Sequence, residues 1–69
     1  MNLTANKYSY SEFIELSVYA DLASSLKPND RLILSSEKEF IDVKERLAEH
    51  GIFFVEKSKK EIWIVAEQV

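Results

Sequence analysis

The stretch SEKEFIDVKERLAEHG, residues 36–51, contains the signals of one complete amphipathic helix. Ser36 and Glu39 are spaced as a capping box, in which a hydroxyl and a carboxylate three residues apart bond free backbone N–H groups. Gly51 stands where helices end in the left-handed conformation. Apolar side chains recur at helical spacing between these ends, at Phe40, Val43 and Leu47, with Ile41 and Ala48 beside them. The stretch predicts a helix with one buried face.

Strand patterns lie on both sides of this helix. The apolar run within residues 31–35 predicts a strand that is covered on both faces. Residues 52–56 and 61–67 predict two further strands. The last strand alternates, with Ile62, Ile64 and Ala66 on one face and Trp63 and Val65 on the other. Because the connection 57–60 lacks glycine, we expect a turn of more than two residues.

An earlier helix begins with another capping box, Ser9 to Glu12. Helical spacing then continues through Ile14, Val18, Leu22 and Leu26. We predict one continuous helix that ends before Pro28, because a proline biases the preceding residue away from helical geometry. The short segment 2–6 is predicted to be a first strand from its place in the pattern.

The predicted order is β-α-β-α-β-β, an α+β fold in one domain spanning residues 1–69. Right-handed crossovers put two helices on one face of a mixed four-stranded sheet, which gives a two-layer α/β sandwich. The other sheet face is then half exposed or covered by another molecule. Trp63, Val65 and Phe53 would form an apolar patch there, a candidate interface with a protein partner or for a homodimer. The alternative, that Trp63 points into the core, stays open.

The composition is that of a globular chain without thiol chemistry. Apolar residues are 46% and charged residues 30% of the chain, and the formal net charge is −3. The acidic balance argues against nucleic acid as the main partner, because phosphate binding requires a basic surface. The absence of cysteine removes disulfides, thiolate metal sites and thiol catalysis. With no signal-peptide pattern and no apolar run of about 20 residues, we expect a cytoplasmic protein that does not contact membranes.

Several short segments are similar to those of a known family. Leu26-Lys27-Pro28-Asn29-Asp30 is similar to a leucine-lysine-proline-glycine-aspartate turn before a strand. Ser35-Ser36 falls where that family often has paired aspartates, Asp42-Val43 where it has aspartate-isoleucine, and His50-Gly51 where it has a glycine-histidine pair. Over nearly its whole length, the chain thus resembles the TusA/SirA-like family of sulfur-carrier proteins. The family's opening motif, leucine-aspartate-x-arginine-glycine-leucine-x-cysteine-proline-x-proline, aligns with residues 3–13 and retains only the leucine.

The resemblance implies the fold but not the family's activity. These carriers hold sulfur as a persulfide on the cysteine of that motif, and Tyr10 stands at the matching position. A phenol, with a pKa of about 10, neither accepts nor exchanges sulfane sulfur. Ser11 and Phe13 replace the two prolines. We therefore expect a non-catalytic, cysteine-less relative rather than an enzyme.

The N-terminal edge of the first helix is the leading candidate site. The residues expected to gather there are Tyr8, Ser9, Tyr10, Ser11 and Glu12, with Ser35 and Ser36 from the start of the second helix. Free backbone N–H groups and the helix dipole favour an anion at such an edge. The alternative is that the serines only cap their helices and the tyrosines cover apolar surface.

The expected function is that of a binding or adaptor protein without a cofactor, acting through protein–protein contact or small-anion binding at that edge. The alternative is an RNA- or ribosome-associated module that uses Lys57–Lys60, since the C-terminal domain of the third bacterial translation initiation factor has a related βαβαββ fold and contacts RNA. The simpler interpretation of these lysines is a charged hairpin that discourages edge pairing.

Two further features have both a functional and a structural interpretation. Glu12, Glu15 and Asp21 make the first helix acidic, which suits either a basic partner or a solvated face. His50 is the single histidine and is expected at the far end of the second helix, roughly 20 Å from the candidate edge. There it stabilises a helix C-terminus, and one histidine without cysteine predicts no metal site.

Overall fold

A computed structural model describes residues 6–66 of the chain and contains one mixed four-stranded sheet with helices. The elements in chain order are β1 (Lys7–Ser9), α1 (Tyr10–Tyr19), α2 (Leu22–Ser25), β2 (Arg31–Ile33), α3 (Glu37–Glu49), β3 (Phe54–Ser58) and β4 (Glu61–Ile64). The strand order in the sheet is β1-β2-β4-β3. β1 pairs with β2 in parallel, and β4 pairs antiparallel with both β2 and β3. The predicted α+β architecture is confirmed.

One apolar core lies between the helices and a single face of the sheet. Its buried members are Phe13, Leu22, Leu26, Leu32, Leu34, Phe40, Val43, Leu47, Ile62 and Ile64. All three apolar positions predicted for the buried face of α3 are in this cluster. On β4, the predicted alternation is confirmed for Ile62 and Ile64, which are 0% and 2% exposed. Because strand residues alternate between faces, the side chains between them form a second sheet face that no described helix covers.

The first strand within the described residues spans Lys7–Ser9. Residues 2–5 of the predicted strand 2–6 lie outside the described part of the chain, and Asn6 precedes β1. The Asp30 carboxylate accepts a hydrogen bond from the backbone N–H of Asn6 at 3.1 Å, immediately before the strand. The next residue, Lys7, pairs with Arg31. This long-range contact sets the start of β1, and no local pattern signals it.

The predicted continuous helix is broken into α1 and α2. Ala20 and Asp21 both have extended backbone, and the Asp21 carboxylate accepts hydrogen bonds from the backbone N–H of Ala23 and the hydroxyl of Ser24. Asp21 thereby begins a new helix, as aspartate does at N-caps. The break separates the apolar stripe: Val18 is 65% exposed, whereas Leu22 is fully buried.

The predicted two-sided burial of β2 is wrong, because Ile33 is 42% exposed while Leu32 and Leu34 are buried. β3 begins two residues later than predicted, at Phe54, which packs against the core. β4 ends at Ile64, and Ala66, predicted on the same strand face as Ile62 and Ile64, is exposed. Residue 67, the end of the predicted strand, lies outside the described residues.

The turn between β3 and β4 is shorter than predicted. Only Lys59 and Lys60 separate the two strands. The register shifts between Glu56 and Ser58, so Lys57 is the extra residue of a β-bulge. The bulge adapts the strands to a turn without glycine, which is why the expected longer connection is not needed.

Candidate functional site

At the N-terminal edge of α1, the polar side chains bond backbone N–H groups of the same turn. The Ser9 hydroxyl accepts a hydrogen bond from the Glu12 backbone N–H at 3.2 Å, and the Glu12 carboxylate accepts one from the Ser9 N–H at 2.8 Å. The predicted capping box is therefore complete. A carboxylate in the first turn also stabilises the positive end of the helix dipole. An anion that bound this edge would have to compete with Glu12.

Tyr10 connects two helices. Its hydroxyl donates a hydrogen bond to Asp42 Oδ2 on α3 at 2.6 Å. Arg46, one turn further along α3, donates from Nε to the same oxygen at 3.0 Å. The bond to Asp42, together with burial, raises the pKa of the Tyr10 hydroxyl above 10.0. The same bond, with Arg46, holds the pKa of the Asp42 carboxyl below 3.8.

The remaining predicted members of this edge have ordinary structural surroundings. Tyr8 is half-buried and packs against the core, whereas Ser11 is exposed. The Ser36 hydroxyl accepts from the Glu39 backbone N–H at 3.2 Å. The predicted second capping box is only half formed, because the Glu39 carboxylate bonds the N–H of Ser35 instead. Ser9 and Ser36 thus each cap a helix, as the structural alternative for these two serines states.

The second predicted site lies on the face of the sheet away from the helices. This open sheet face consists of the apolar side chains Ile33, Phe53, Val55, Trp63 and Val65 with the charged side chains Arg31, Lys57 and Glu61. Ile33, Phe53 and Val55 are each between 41% and 45% exposed, and Trp63 and Val65 are half-buried. Trp63 therefore does not point into the core, which decides between the two interpretations of its position.

Trp63 is held between two cations at the middle of the open sheet face. The Arg31 guanidinium lies 4.3 Å from the ring centroid and the Lys57 ammonium 4.5 Å from it. These residues belong to β2 and β3, which flank β4 on opposite sides. The indole N–H donates to the Glu61 carboxylate at 2.7 Å. Both cations are within the distance of cation–π attraction, so the indole contacts one cation from each flanking strand and bonds Glu61 at its edge.

The lysine run of the hairpin is divided between two surfaces. The bulge at Lys57 places that side chain over Trp63. Lys59 and Lys60 instead line a cleft of about 390 Å³ beside α3, together with Glu37, Phe40, Ile41 and Lys44. The predicted basic cluster therefore does not act as one surface.

The acidic surface of α1 includes a shallow groove. Glu12 and Glu15 line it with Tyr8, Leu16 and Tyr19, and Tyr19 is 86% exposed. Asp21, the third predicted acid, caps α2. His50 is exposed at the C-cap of α3, as predicted. Within residues 6–66, no group of three or more histidine, aspartate or glutamate side chains is placed to hold a metal ion.

Comparison with known proteins identifies no relative: the chain matches no family model, no curated protein and no solved structure. None of the described helices has the length and apolar content needed to cross a membrane.

The sequence predicts that Trp63 and Phe53 belong to this sheet face, but it does not predict the cations beside the indole. Arg31 is opposite Trp63 only because β2 and β4 pair in this register. Lys57 reaches the ring because of a bulge that the sequence does not signal. The Tyr10 partner was also missed, although the spacing of Asp42 and Arg46 at i and i+4 already indicates an ion pair on α3.

Proposed function

We propose that the protein is a non-catalytic adaptor whose open sheet face binds an acidic, apolar segment of a partner protein. The observation that carries this proposal is the indole of Trp63 held between Arg31 and Lys57 among side chains that stay exposed. Interface centres are enriched in tryptophan and arginine. Fixing these side chains before binding lowers the entropy lost in the complex.

Charge determines the kind of partner. Two cations and one carboxylate, Arg31, Lys57 and Glu61, accompany the apolar patch, although the whole chain carries a net charge of −3. The two cations outnumber the single carboxylate, which accepts from the indole N–H, so the face favours an acidic partner. A second copy docking through the same face would bring cations against cations, which disfavours the symmetric dimer. Acidic side chains interleaved with apolar ones complement this surface.

An RNA-binding function is the second candidate, because exposed sheets with aromatic and basic side chains stack unpaired bases. That stacking needs a free aromatic face. Cations from the strands on both sides of β4 occupy the ring of Trp63. Lys59 and Lys60 line a different surface, and the chain is acidic overall. These features favour the protein partner.

The proposal assigns no reaction to Tyr10. Its hydroxyl is bonded to Asp42, and a raised pKa makes the phenol a poorer nucleophile near neutral pH. The likeness to sulfur carriers therefore contributes an expected architecture and no sulfur transfer.

Selection from a library of random displayed peptides tests the function directly. We expect the wild-type chain to enrich peptides rich in aspartate, glutamate and large apolar residues. Trp63 is the only tryptophan, so its fluorescence reports binding of a selected peptide at this face. Lys57→Glu should weaken the binding of that peptide by about tenfold or more, a change of roughly 1.4 kcal/mol in binding free energy.

Lys27→Glu is the matched control, since it makes the same charge change at an exposed lysine outside the open sheet face. It should leave the affinity within about twofold of wild type. Enrichment of basic peptides, or equal weakening by both variants, contradicts the proposal. Tighter binding of single-stranded polyuridine than of any selected peptide, with loss on Lys57→Glu, would establish the RNA function instead.

A further inference from the structure

The cleft between α3 and the β3–β4 turn has the features of a small-molecule site separate from the open sheet face. It measures about 390 Å³ and is lined by Glu37, Phe40, Ile41, Lys44, Lys59 and Lys60. This volume is in the range of ligand pockets, about 300–1,000 Å³. Its lining combines an apolar floor with charged side chains from two different elements.

The floor of this α3 cleft is formed by Phe40 and Ile41. Phe40 is 7% exposed, and its ring belongs to the core, so this part of the floor is fixed. Ile41 was expected beside the buried face of α3 but is 45% exposed. An apolar group placed in the cleft would remove this side chain from water, which is favourable in proportion to the area covered.

The cations of the α3 cleft differ in how they are used. The Lys44 ammonium lies 3.3 Å from the Glu56 carboxylate and 4.8 Å from the Phe40 ring centroid, so it is already paired. Lys59 and Lys60 are exposed at the turn. The backbone of Lys60 is hydrogen-bonded on both sides, because Lys60 O accepts from Leu34 N–H at 2.8 Å and Lys60 N–H donates to the Ser58 hydroxyl at 3.2 Å.

A turn whose two lysines line the same cleft as Phe40 and Ile41 suits a ligand with one anionic group on an apolar ring. Glu37, on the same lining, disfavours ligands that carry a second anionic group. We propose that the α3 cleft binds a small aromatic monophosphate or carboxylate, with the anion at Lys59 and Lys60 and the ring on Ile41 and Phe40. This proposal does not depend on the function of the open sheet face.

The test is a titration followed by backbone amide NMR shifts, with three probes. Phenyl phosphate carries both chemical features, inorganic phosphate only the anion, and phenol only the ring. We expect phenyl phosphate to bind at least about tenfold more tightly than either partial probe. The shifted amides should be those of residues 37–44 and 59–61, and the Trp63 indole signal should not move.

Two variants separate the contributions. Lys59→Gln with Lys60→Gln should weaken the binding of phenyl phosphate by about tenfold. Ile41→Ser should weaken phenyl phosphate and leave inorganic phosphate unchanged, since only the ring contacts that side chain. The control, Lys7→Gln with Lys27→Gln, removes the same charge elsewhere and should leave binding intact.

Equal binding of phenyl phosphate and inorganic phosphate would overturn the proposal, as would equal weakening by the control. Amide shifts centred on residues 9–12 would show that the anion binds at the N-terminal edge of α1, and they would also overturn the proposal. The Ile41 variant keeps the test decisive if the lysine double variant unfolds.

Discussion

The hydrogen bond between Tyr10 and Asp42 depends on pH in two ranges, one acidic and one basic. The Tyr10 phenol donates to Asp42, and that carboxylate also accepts from Arg46. The bond is strongest with a protonated tyrosine and an ionised aspartate, because its acceptor is then charged. Its contribution to the link between α1 and α3 therefore falls when Asp42 takes up a proton and when Tyr10 loses one.

Tyr10→Phe should lower the free energy of unfolding by about 1 kcal/mol near neutral pH, since a partly exposed hydrogen bond to a charged group is lost. The folded-state pKa of Asp42 is below 3.8, so its contribution is present above that pH and disappears as the pH falls through the lower value. The folded-state pKa of Tyr10 is above 10.0, so its contribution is present below that pH and disappears as the pH rises through the higher value. Urea unfolding across this range measures the difference between variant and wild type.

Tyr19→Phe is the matched control, because the Tyr19 side chain is 86% exposed. It should leave the unfolding free energy unchanged within about 0.5 kcal/mol. A difference between Tyr10→Phe and wild type that stays constant below pH 3.8 and above pH 10.0 would show that the bond to Asp42 is not its source.

At the scale of single residues, the sequence predicts local bonds better than distant ones. Ser9 and Glu12 are three residues apart, and their mutual bonding was predicted and is confirmed. Tyr10 and Asp42 are 32 residues apart. Their contact depends on how α1 and α3 pack, so no pattern within either helix could identify it.

At the scale of elements, the turn before β2 depends on a left-handed residue. Asn29 has φ of 80°, a conformation that asparagine tolerates better than most residues and glycine adopts freely. Asn29→Gly should therefore stabilise the fold by about 0.5 kcal/mol, and Asn29→Ala should destabilise it by about 1 kcal/mol. Thermal and urea unfolding of the pair measure both changes.

Glu49, at the end of α3, gives the matched control for this pair. It is exposed and helical, so Glu49→Ala should be more stable than Glu49→Gly by up to about 1 kcal/mol. The glycine variant should thus be the more stable of the pair at Asn29, and the alanine variant the more stable at Glu49. The same order at both would mean that the conformation of Asn29 does not limit stability.

Element boundaries were predictable where their cause is local. The start of α3 follows from Ser36 and its end from Gly51, which has φ of 70°. The break between α1 and α2 was missed, because Asp21 lies inside an apolar spacing that continues to Leu26. The turn at Lys59 was also misjudged, since its short length depends on a bulge in the register between β3 and β4.

At the scale of the whole molecule, the side chains that form the core and the exposed apolar side chains that we propose to bind a partner lie on opposite faces of the sheet. Leu47 and Ile62 are fully buried on the helix side. Ile33 and Val55 keep more than two fifths of their surface exposed on the other side. The sequence predicted such an open face from the topology alone, whereas its cations follow from strand pairing that only the structure shows.

This division predicts that stability and binding respond to different substitutions. Ile33→Thr with Val55→Thr keeps β-branched residues in both strands, so the unfolding free energy should change by less than about 1 kcal/mol. The same pair of substitutions should weaken the binding of a selected acidic peptide by about tenfold, because these two side chains would be buried only in the complex.

Leu47→Ala, by contrast, removes core packing and should lower the free energy of unfolding by about 2–5 kcal/mol, much of the total for a domain of this size. Urea unfolding and Trp63 fluorescence titration on the same samples compare the two effects. A core-sized loss of stability in the threonine pair would mean that the open sheet face is part of the folding core and not a binding surface.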